Sequence, residues 1–261
     1  IRPFLGYSVK LWYHNHDVAE LALMRRFSVG YFATKSEKQY FHKIDLFTLP
    51  SESRLKFFPM NRLKGKYLIV PNYPSLRRMR VDRTADKIIG MELKLLYQGR
   101  ISNEHGLEEI IAFIKSDTSL QLTIVGPGDE TYIQALRDRI NRLGISYRVM
   151  LLDPVPYGEL QEITLNHHIG LAVNKPVNIL YSTAAMASNK IYEYAAAALP
   201  ILYFKDEHYL QYLKQYSWAF PTNLAFSDLS DILQRIRINY KVLSKAAQSD
   251  FLNKLNFGSV F

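Results

Sequence analysis

The sequence predicts an α/β fold built on an open, mostly parallel sheet with helices on both faces. Three observations predict it. From Leu93 onward, short apolar runs alternate with stretches of helical spacing. The apolar runs are continuous, as strands buried on both faces are. The connections between them are short and punctuated by Gly99, Gly126-Pro127-Gly128, Gly144 and Pro200.

Taken in order, residues 93–98 form a buried strand that ends at Gly99. Residues 107–115 place Leu107, Ile110, Ile111 and Ile114 on one helical face. Residues 121–125 are the next strand. A helix over 130–143 follows, with Ile133, Leu136 and Ile140 inward and Gly144 closing it. Residues 147–152, 169–173 and 201–203 read as strands, and 157–166 and 188–198 as helices. Helices are also expected over 206–216 and 227–240, and the aromatic stretch Tyr203 to Trp218 reads as packing.

The first 90 residues carry less pattern. Residues 9–13 read as a strand leading into His14-Asn15-His16-Asp17, and 18–27 as a helix. Residues 29–34, 46–49 and 67–70 are strand candidates. These are too few for a complete doubly wound sheet. The expected organisation is therefore a partial N-terminal domain over 1–76, a hinge over 77–91 and a whole C-terminal domain over 92–240. Residues 241–261 are expected as a C-terminal helix packing back on the N-terminal domain. The start at Ile1, with no methionine, reads as a piece of something longer.

Composition narrows the chemistry. Of 261 residues, 48% are hydrophobic and 22% charged, which excludes bulk disorder. The absence of cysteine excludes disulfide frameworks, thiolate-bound zinc, iron–sulfur clusters and a cysteine nucleophile. The net charge of +9 is uneven. Residues 1–90 hold 17 Lys/Arg against 7 Asp/Glu, whereas 91–261 hold 16 against 17. The excess is densest from Arg54 to Lys87, which suggests an anionic partner: nucleic acid, anionic lipid or a phosphorylated substrate. Lys64, Lys66, Arg77, Arg78, Arg80 and Arg83 interleave with Tyr67, Tyr73 and Met79, but no nucleic-acid signature accompanies them. Nucleic acid is the weaker expectation, and a solvated basic face with no partner stays open.

Ligands of open parallel sheets sit beyond the carboxyl ends of the strands. The loops there are 99–106, 126–130, 153–158 and 174–189. Gly99 lets a ligand approach the backbone, and Arg100 offers a forked donor to a diphosphate. Glu193 can accept hydrogen bonds from two ribose hydroxyls. As a carboxylate near a helix start it also has a plain structural reading. Lys190, at a helix N-terminus, opposes the helix dipole and hints at an anionic ligand. Gly126 reads equally as a turn. His14-x-His16 supplies two metal-type ligands and no third in register, so no metal is expected.

Tyr97-Gln98-Gly99-Arg100, Ile124-Val125-Gly126-Pro127-Gly128 and Ser188-Asn189-Lys190-Ile191-Tyr192-Glu193-Tyr194, with Ala198-Leu199-Pro200 behind, form an ordered set. Tyr13-His14-Asn15-His16-Asp17, residues 44–54 and Ile69-Val70-Pro71-Asn72-Tyr73 precede it. Together they resemble a family 4-type retaining glycosyltransferase of GT-B architecture, in the subset with an Asn-Lys-x-x-Glu-Tyr pattern. The resemblance covers most of the chain, without the strands and Gly-rich loop the family has before its His-Asp loop.

It implies two Rossmann-like domains, the N-terminal one incomplete in this chain. It implies transfer of a sugar from a nucleotide-sugar donor to a glycan or lipid-linked acceptor, in cell-surface polysaccharide or glycoconjugate synthesis. It implies no metal and no cofactor. Arg100 and Lys190 would neutralise the leaving diphosphate, and His16 would face the sugar from the N-terminal domain. Gly99, Gly126, Asn189 and Glu193 would bind the donor, Glu193 holding the ribose, and Tyr157 would stack on the base. His105 stands where the family has a second cation, which weakens the clamp on the diphosphate unless His105 is protonated or Lys190 substitutes for it. The expected location is cytoplasmic, with an anionic membrane surface reached through residues 54–87 on the inner face. A sugar-nucleotide epimerase of the same architecture and a non-catalytic basic module are the alternatives.

Overall fold

The structure is a computed structural model of the chain and describes residues 9–19, 21–81 and 89–260. Arg83 and Lys87 of the basic stretch, and much of the expected hinge, lie outside the described residues. The chain divides into two units: residues up to Asn72 with Asn178–Ala187, and Tyr73–Val177 with Ser188 onward. Residues 178–187 therefore belong with the first unit, a correction to the domain division read from the sequence.

In the first unit three parallel strands, β1 (Trp12–His14), β2 (Leu46–Leu49) and β3 (Lys66–Ile69), pair in the order β1-β2-β3. Trp12 lies opposite Leu46, and Leu49 opposite Ile69. Phe41, Phe47, Leu49 and Phe58 close the core. The Phe47 ring lies 4.9 Å from Phe41 and 4.8 Å from Phe58, an edge-to-face and a tilted contact.

The helix here, α1 (Val29–Tyr40), contradicts two expectations. Among the described residues of 18–27 there is only a short 3-10 turn, Leu21–Leu23, and the strand expected at 29–34 is helical. Ser28 decides it. It stays extended and accepts a hydrogen bond from the Tyr31 amide at 3.1 Å, an N-cap that overrides the strand preference of Val29, Tyr31 and Phe32. Phe27, just before, takes a left-handed backbone with φ 66°, which breaks any helix arriving from 18–26.

The second unit holds β4 (Leu93–Gln98), β5 (Leu120–Val125), β6 (Val149–Leu152), β7 (Ile169–Ala172), β8 (Ile201–Phe204) and β9 (Ala219–Thr222). All pair in parallel, in the order β6-β5-β4-β7-β8-β9. Numbered from β4, that is the doubly wound order 3-2-1-4-5-6, whose direction reverses between β4 and β7. The crossovers are α2 (Leu107–Ser116), α3 (Glu130–Arg142), α4 (Tyr157–Leu165), α5 (Asn189–Ala196) and α6 (Glu207–Leu213), and α7 (Phe226–Asn253) follows β9.

Strand β9 was not expected, because Pro221 interrupts its apolar run. It lies at the sheet edge, where one side of the ladder needs no donor. The separate C-terminal helix expected at 241–261 is corrected too. Helix α7 runs unbroken to Asn253, because Ile236, Tyr240, Leu243, Ala247 and Phe251 continue its inward spacing past residue 240. It belongs to the second unit, where the Trp218 indole donates to Asp250 at 3.0 Å. Tyr203, Tyr209 and Trp218 are fully buried, as their packing role requires.

Candidate functional site

The carboxyl ends of β4 and β5 turn together. The Gly99 amide donates to the Val125 carbonyl at 3.0 Å, and the Ile101 amide to Pro127 at 2.7 Å. Both turns need glycine: Gly99 and Gly126 take φ 118° and 144°, and a Cβ on Gly126 would run into the Gly99 backbone. Arg100 follows and is exposed. The Lys190 ammonium, in the first turn of α5, comes down on this turn. It lies 4.3 Å above the Tyr97 ring, 3.3 Å from the Tyr97 hydroxyl and 3.5 Å from where a Cβ on Gly99 would stand. The Tyr97 hydroxyl donates onward to the Arg100 carbonyl. Burial pulls Lys190 down to about 7, with the Glu193 charge resisting.

Glu193, one turn along the same helix face, meets the next residue of β4. Its Oε2 accepts from Gln98 Nε2 at 2.6 Å, and its Oε1 accepts from the Tyr157 hydroxyl at 3.0 Å. Burial raises the Glu193 carboxyl, while the Tyr157 and Gln98 hydrogen bonds and Lys190 hold it down. Thr164 in turn donates to Gln98 Oε1 at 2.9 Å. Tyr194 aims this helix: its hydroxyl accepts the Gln98 amide at 2.9 Å and donates to the Leu96 carbonyl at 3.1 Å. Its ring lies where a Cβ on Gly170 would be, so β7 must carry glycine there.

The pocket beside Glu193 is lined by Gln98, Tyr157, Gln161 and Thr164, and closed on one side by Met79 and Arg80. Gln161 donates to the Arg78 carbonyl at 2.8 Å, Arg80 pairs with Glu162, and Tyr157 reaches the Met79 sulfur at 3.5 Å. Sequence reasoning did not name Gln98 as a site residue. Its signal was a polar side chain at the carboxyl end of a strand, directly before Gly99.

Gly99, Arg100, His105, Gly126, Tyr157, Lys190 and Glu193 thus gather at one end of the second unit's sheet. Asn189 opens α5 and is exposed. His105 is 2% exposed, its Nδ1 2.8 Å from the Ser102 hydroxyl and its ring 5.2 Å from Tyr97. Burial, then the Lys190 charge, pushes it down to about 3, so it stands neutral and supplies no second cation.

His16 lies in the first unit, on the loop after β1, and is exposed. Its ring meets that of His14 at 4.2 Å, edge to face. The loop is held from behind. Arg54, 2% exposed, donates to the His16 carbonyl at 2.5 Å and to the Thr183 hydroxyl at 3.1 Å. Arg54 therefore faces inward, and the basic stretch 54–87 is not one outward surface, since Arg80 is committed to Glu162 as well. Among the described residues no group of three or more His, Asp or Glu side chains could hold a metal ion, and no helix is long and apolar enough to cross a membrane.

No protein-family model and no curated protein matches the sequence. Solved structures do match. The crystal structure of Anabaena Alr3699/HepE in complex with UDP aligns with a TM-score of 0.68 at 13% identity, over 96% of this chain and 70% of that one. Sucrose-phosphate synthase from Thermosynechococcus elongatus gives 0.67 at 15%, over 99% and 67%. WaaG, a glycosyltransferase involved in lipopolysaccharide biosynthesis, gives 0.65 at 14%, over 95% and 72%. At such identity the likeness is one of fold, and it bears out the α/β GT-B architecture expected from the sequence.

Proposed function

We propose that this chain is a retaining glycosyltransferase that takes its sugar from a nucleotide-sugar donor. The observation that carries the reading is the meeting of the Gly99-Arg100 turn, Lys190 and the Glu193–Gln98–Tyr157 network. They meet where the strand order reverses, the place in such sheets where ligands bind. The similarity of fold to HepE, determined with UDP and with UDP-glucose, supports a nucleotide-sugar donor.

In this reading the donor diphosphate lies against the bare Gly99 and Gly126 turns. Arg100 forks onto it, and the Lys190 ammonium and the first amides of α5, at Asn189, face it. The bond from the anomeric carbon to the diphosphate oxygen breaks, and negative charge grows on that oxygen. Fixed cations already aimed there stabilise that charge more than the ground state. Neutral His105 leaves this work to Arg100 and Lys190 and instead packs beneath Tyr97 and the turn. Glu193 takes the two ribose hydroxyls in place of the Tyr157 hydroxyl, and the freed Tyr157 ring stacks on the base. His16 keeps the role at the transferred sugar that the resemblance implies. A glycan or lipid-linked acceptor hydroxyl bonds the anomeric carbon on the face the diphosphate leaves, and its proton passes to the departing diphosphate oxygen. The setting is cell-surface polysaccharide or glycoconjugate synthesis.

The test is a thermal-shift panel of UDP, GDP, ADP and CMP and their sugar conjugates, on wild type and Glu193→Ala, followed by donor turnover with and without acceptor glycans. A ligand at a hundredfold excess over its dissociation constant stabilises by about 2.7 kcal/mol. A shift with one base, lost in Glu193→Ala, supports the site. Turnover without any acceptor would point instead to an epimerase, and no shift with any nucleotide would remove the donor site altogether.

A further inference from the structure

Gln98 is a polar side chain in a place that asks for none. It closes β4 at 3% exposure, directly after the buried Leu95, Leu96 and Tyr97. An amide at that depth costs free energy unless both its ends are hydrogen-bonded. Both are. Nε2 donates to Glu193 Oε2 at 2.6 Å, and Oε1 lies 2.9 Å from the Thr164 hydroxyl. The Gln98 backbone amide donates to the Tyr194 hydroxyl at 2.9 Å, so the residue is pinned to the helix that carries Glu193. A turned-over amide would set its oxygen against the carboxylate, acceptor against acceptor, so the nitrogen must face Glu193.

The two bonds that Glu193 accepts differ in kind. The Tyr157 bond at Oε1 is exposed, and in the donor reading it gives way to ribose. The Gln98 bond at Oε2 is part-buried, comes from the strand, and stays when Oε1 changes partner. It fixes the plane of the carboxylate, and it favours the charged form, which burial alone disfavours. A carboxylate that swings free or takes up a proton can settle on one hydroxyl alone. One that is held and charged accepts two neighbouring hydroxyls at once.

We infer that Gln98 is a positioning residue for sugar selection: by holding Oε2 of Glu193, it makes the site prefer a ribonucleotide to its 2′-deoxy counterpart. The inference rests on the donor reading above and adds the residue on which the choice of ribose depends.

Calorimetry on the full chain measures UDP, GDP and ADP against their 2′-deoxy counterparts, with wild type, Gln98→Met and Gln98→Glu. Wild type should prefer the ribonucleotide of its base by about tenfold or more, the worth of a hydrogen bond to a charged group. Gln98→Met keeps the volume, and the Thr164 hydroxyl keeps the Leu160 carbonyl at 2.7 Å, so the change acts on Glu193. The variant should bind the ribonucleotide about tenfold more weakly and lose most of the preference, with 2′-deoxy binding within about threefold of wild type. In Glu193→Ala the same substitution should change nothing further.

Gln98→Glu supplies a pH signature. Protonated, the new carboxyl has the shape of the amide and donates to Glu193 Oε2. Ionised, it sets two like charges at hydrogen-bond distance. The other titratable groups around the pair are Lys190 and Tyr194 on α5, Tyr157 on α4 and Arg80 at the pocket wall. Comparison in the Lys190→Arg background removes the lysine, which titrates near neutrality. There Gln98→Glu should lie about tenfold or more below its parent in ribonucleotide affinity at pH 8 and recover to within about threefold at pH 5. If Gln98→Met fails to fold, this isosteric variant still carries the test. The same 2′-deoxy preference in wild type and Gln98→Met, or a Gln98→Glu gap that is absent or does not close at pH 5, overturns the inference and leaves the donor reading standing. No binding of any of these nucleotides by wild type overturns the donor reading itself, and this inference with it.

Discussion

Lys190 gives the proposed donor site a pH signature that can be worked out in advance. Burial lowers the ammonium from 10.5 to about 7 in the free protein. A diphosphate beside it favours the charged form and raises that value again. Donor binding therefore takes up a proton at any pH between the free and bound values. Below about pH 7 the lysine is already charged, and affinity is flat with respect to this group. Above it, each pH unit weakens binding by up to tenfold, so from pH 6 to pH 9 the loss approaches about a hundredfold. A nucleotide sugar is the right probe, because both its phosphates are diesters that do not titrate in this range. Calorimetry in buffers of different ionisation enthalpy reads the uptake directly, and it should approach one proton near pH 8.5. Lys190→Arg stays charged throughout, so its affinity should lose the slope. Affinity that is flat from pH 6 to 9 in wild type, with no proton uptake, would refute the placement of the diphosphate at Lys190.

Other outcomes follow from the same geometry. Stability of the free protein should move oppositely to affinity: because the folded state holds Lys190 below its ordinary value, the unfolded chain binds more protons between about pH 7 and 10.5, and stability rises with pH across that window, as denaturant midpoints would show. Glu193→Gln removes a carboxylate that burial disfavours, so it should raise the melting temperature by about 2–4 °C for each kcal/mol relieved while nucleotide-sugar shifts vanish. Tyr157→Phe should leave donor affinity within about twofold, because ribose replaces the phenol on Glu193, whereas Tyr157→Ala, losing a stacking surface, should cost about tenfold or more by calorimetry. Arg54→Met removes the donor to the His16 carbonyl, while the Thr183 hydroxyl keeps its bond to the Ile179 carbonyl, so with His16 acting at the transferred sugar as proposed, kcat should fall while donor affinity, read by calorimetry, stays at wild type.

The second unit was legible to within a residue or two in most elements. Its strands are buried on both faces and its helices have one inward stripe, so periodicity and glycine punctuation both point the same way. Strand 93–98 and the start of helix 157–165 came out where they stand. In the first unit the strands at 46–49 and 67–70 were legible as well, but the stretch 18–34 was misread because it breaks that agreement. Its helix carries Val29, Phe32 and Tyr40 on the outside, so the apolar residues that mark a helix's buried side elsewhere mark the exposed side here. The residue that settles it, Ser28, acts through one backbone amide and leaves no periodic trace. Within the site, residue identity foretold which side chains gather but not their protonation. His105 occupies a position that resemblance assigns to a cation. Only its burial against Tyr97 and near Lys190 shows that it is neutral.

Charge balance in the site depends on a spacing of three. Lys190 and Glu193 are one turn apart on α5, and consecutive residues of β4 receive them: Tyr97 takes the ammonium and Gln98 the carboxylate. Tyr194 fixes the register, since its hydroxyl bridges the Gln98 amide and the Leu96 carbonyl. Each charge also holds the other, Glu193 raising the lysine and Lys190 lowering the carboxyl. In the free protein the two charges face neutral partners, an aromatic ring and hydroxyl on one side and an amide and phenol on the other. A ligand with an anion at one end and a vicinal diol at the other improves both environments at once, and a nucleoside diphosphate carries those groups in that order. Binding either half alone leaves one charge against its neutral partner. A bare diphosphate or a bare nucleoside should thus bind far more weakly than the joined molecule, beyond the product of its separate contacts, because joining the halves removes the second loss of translational freedom.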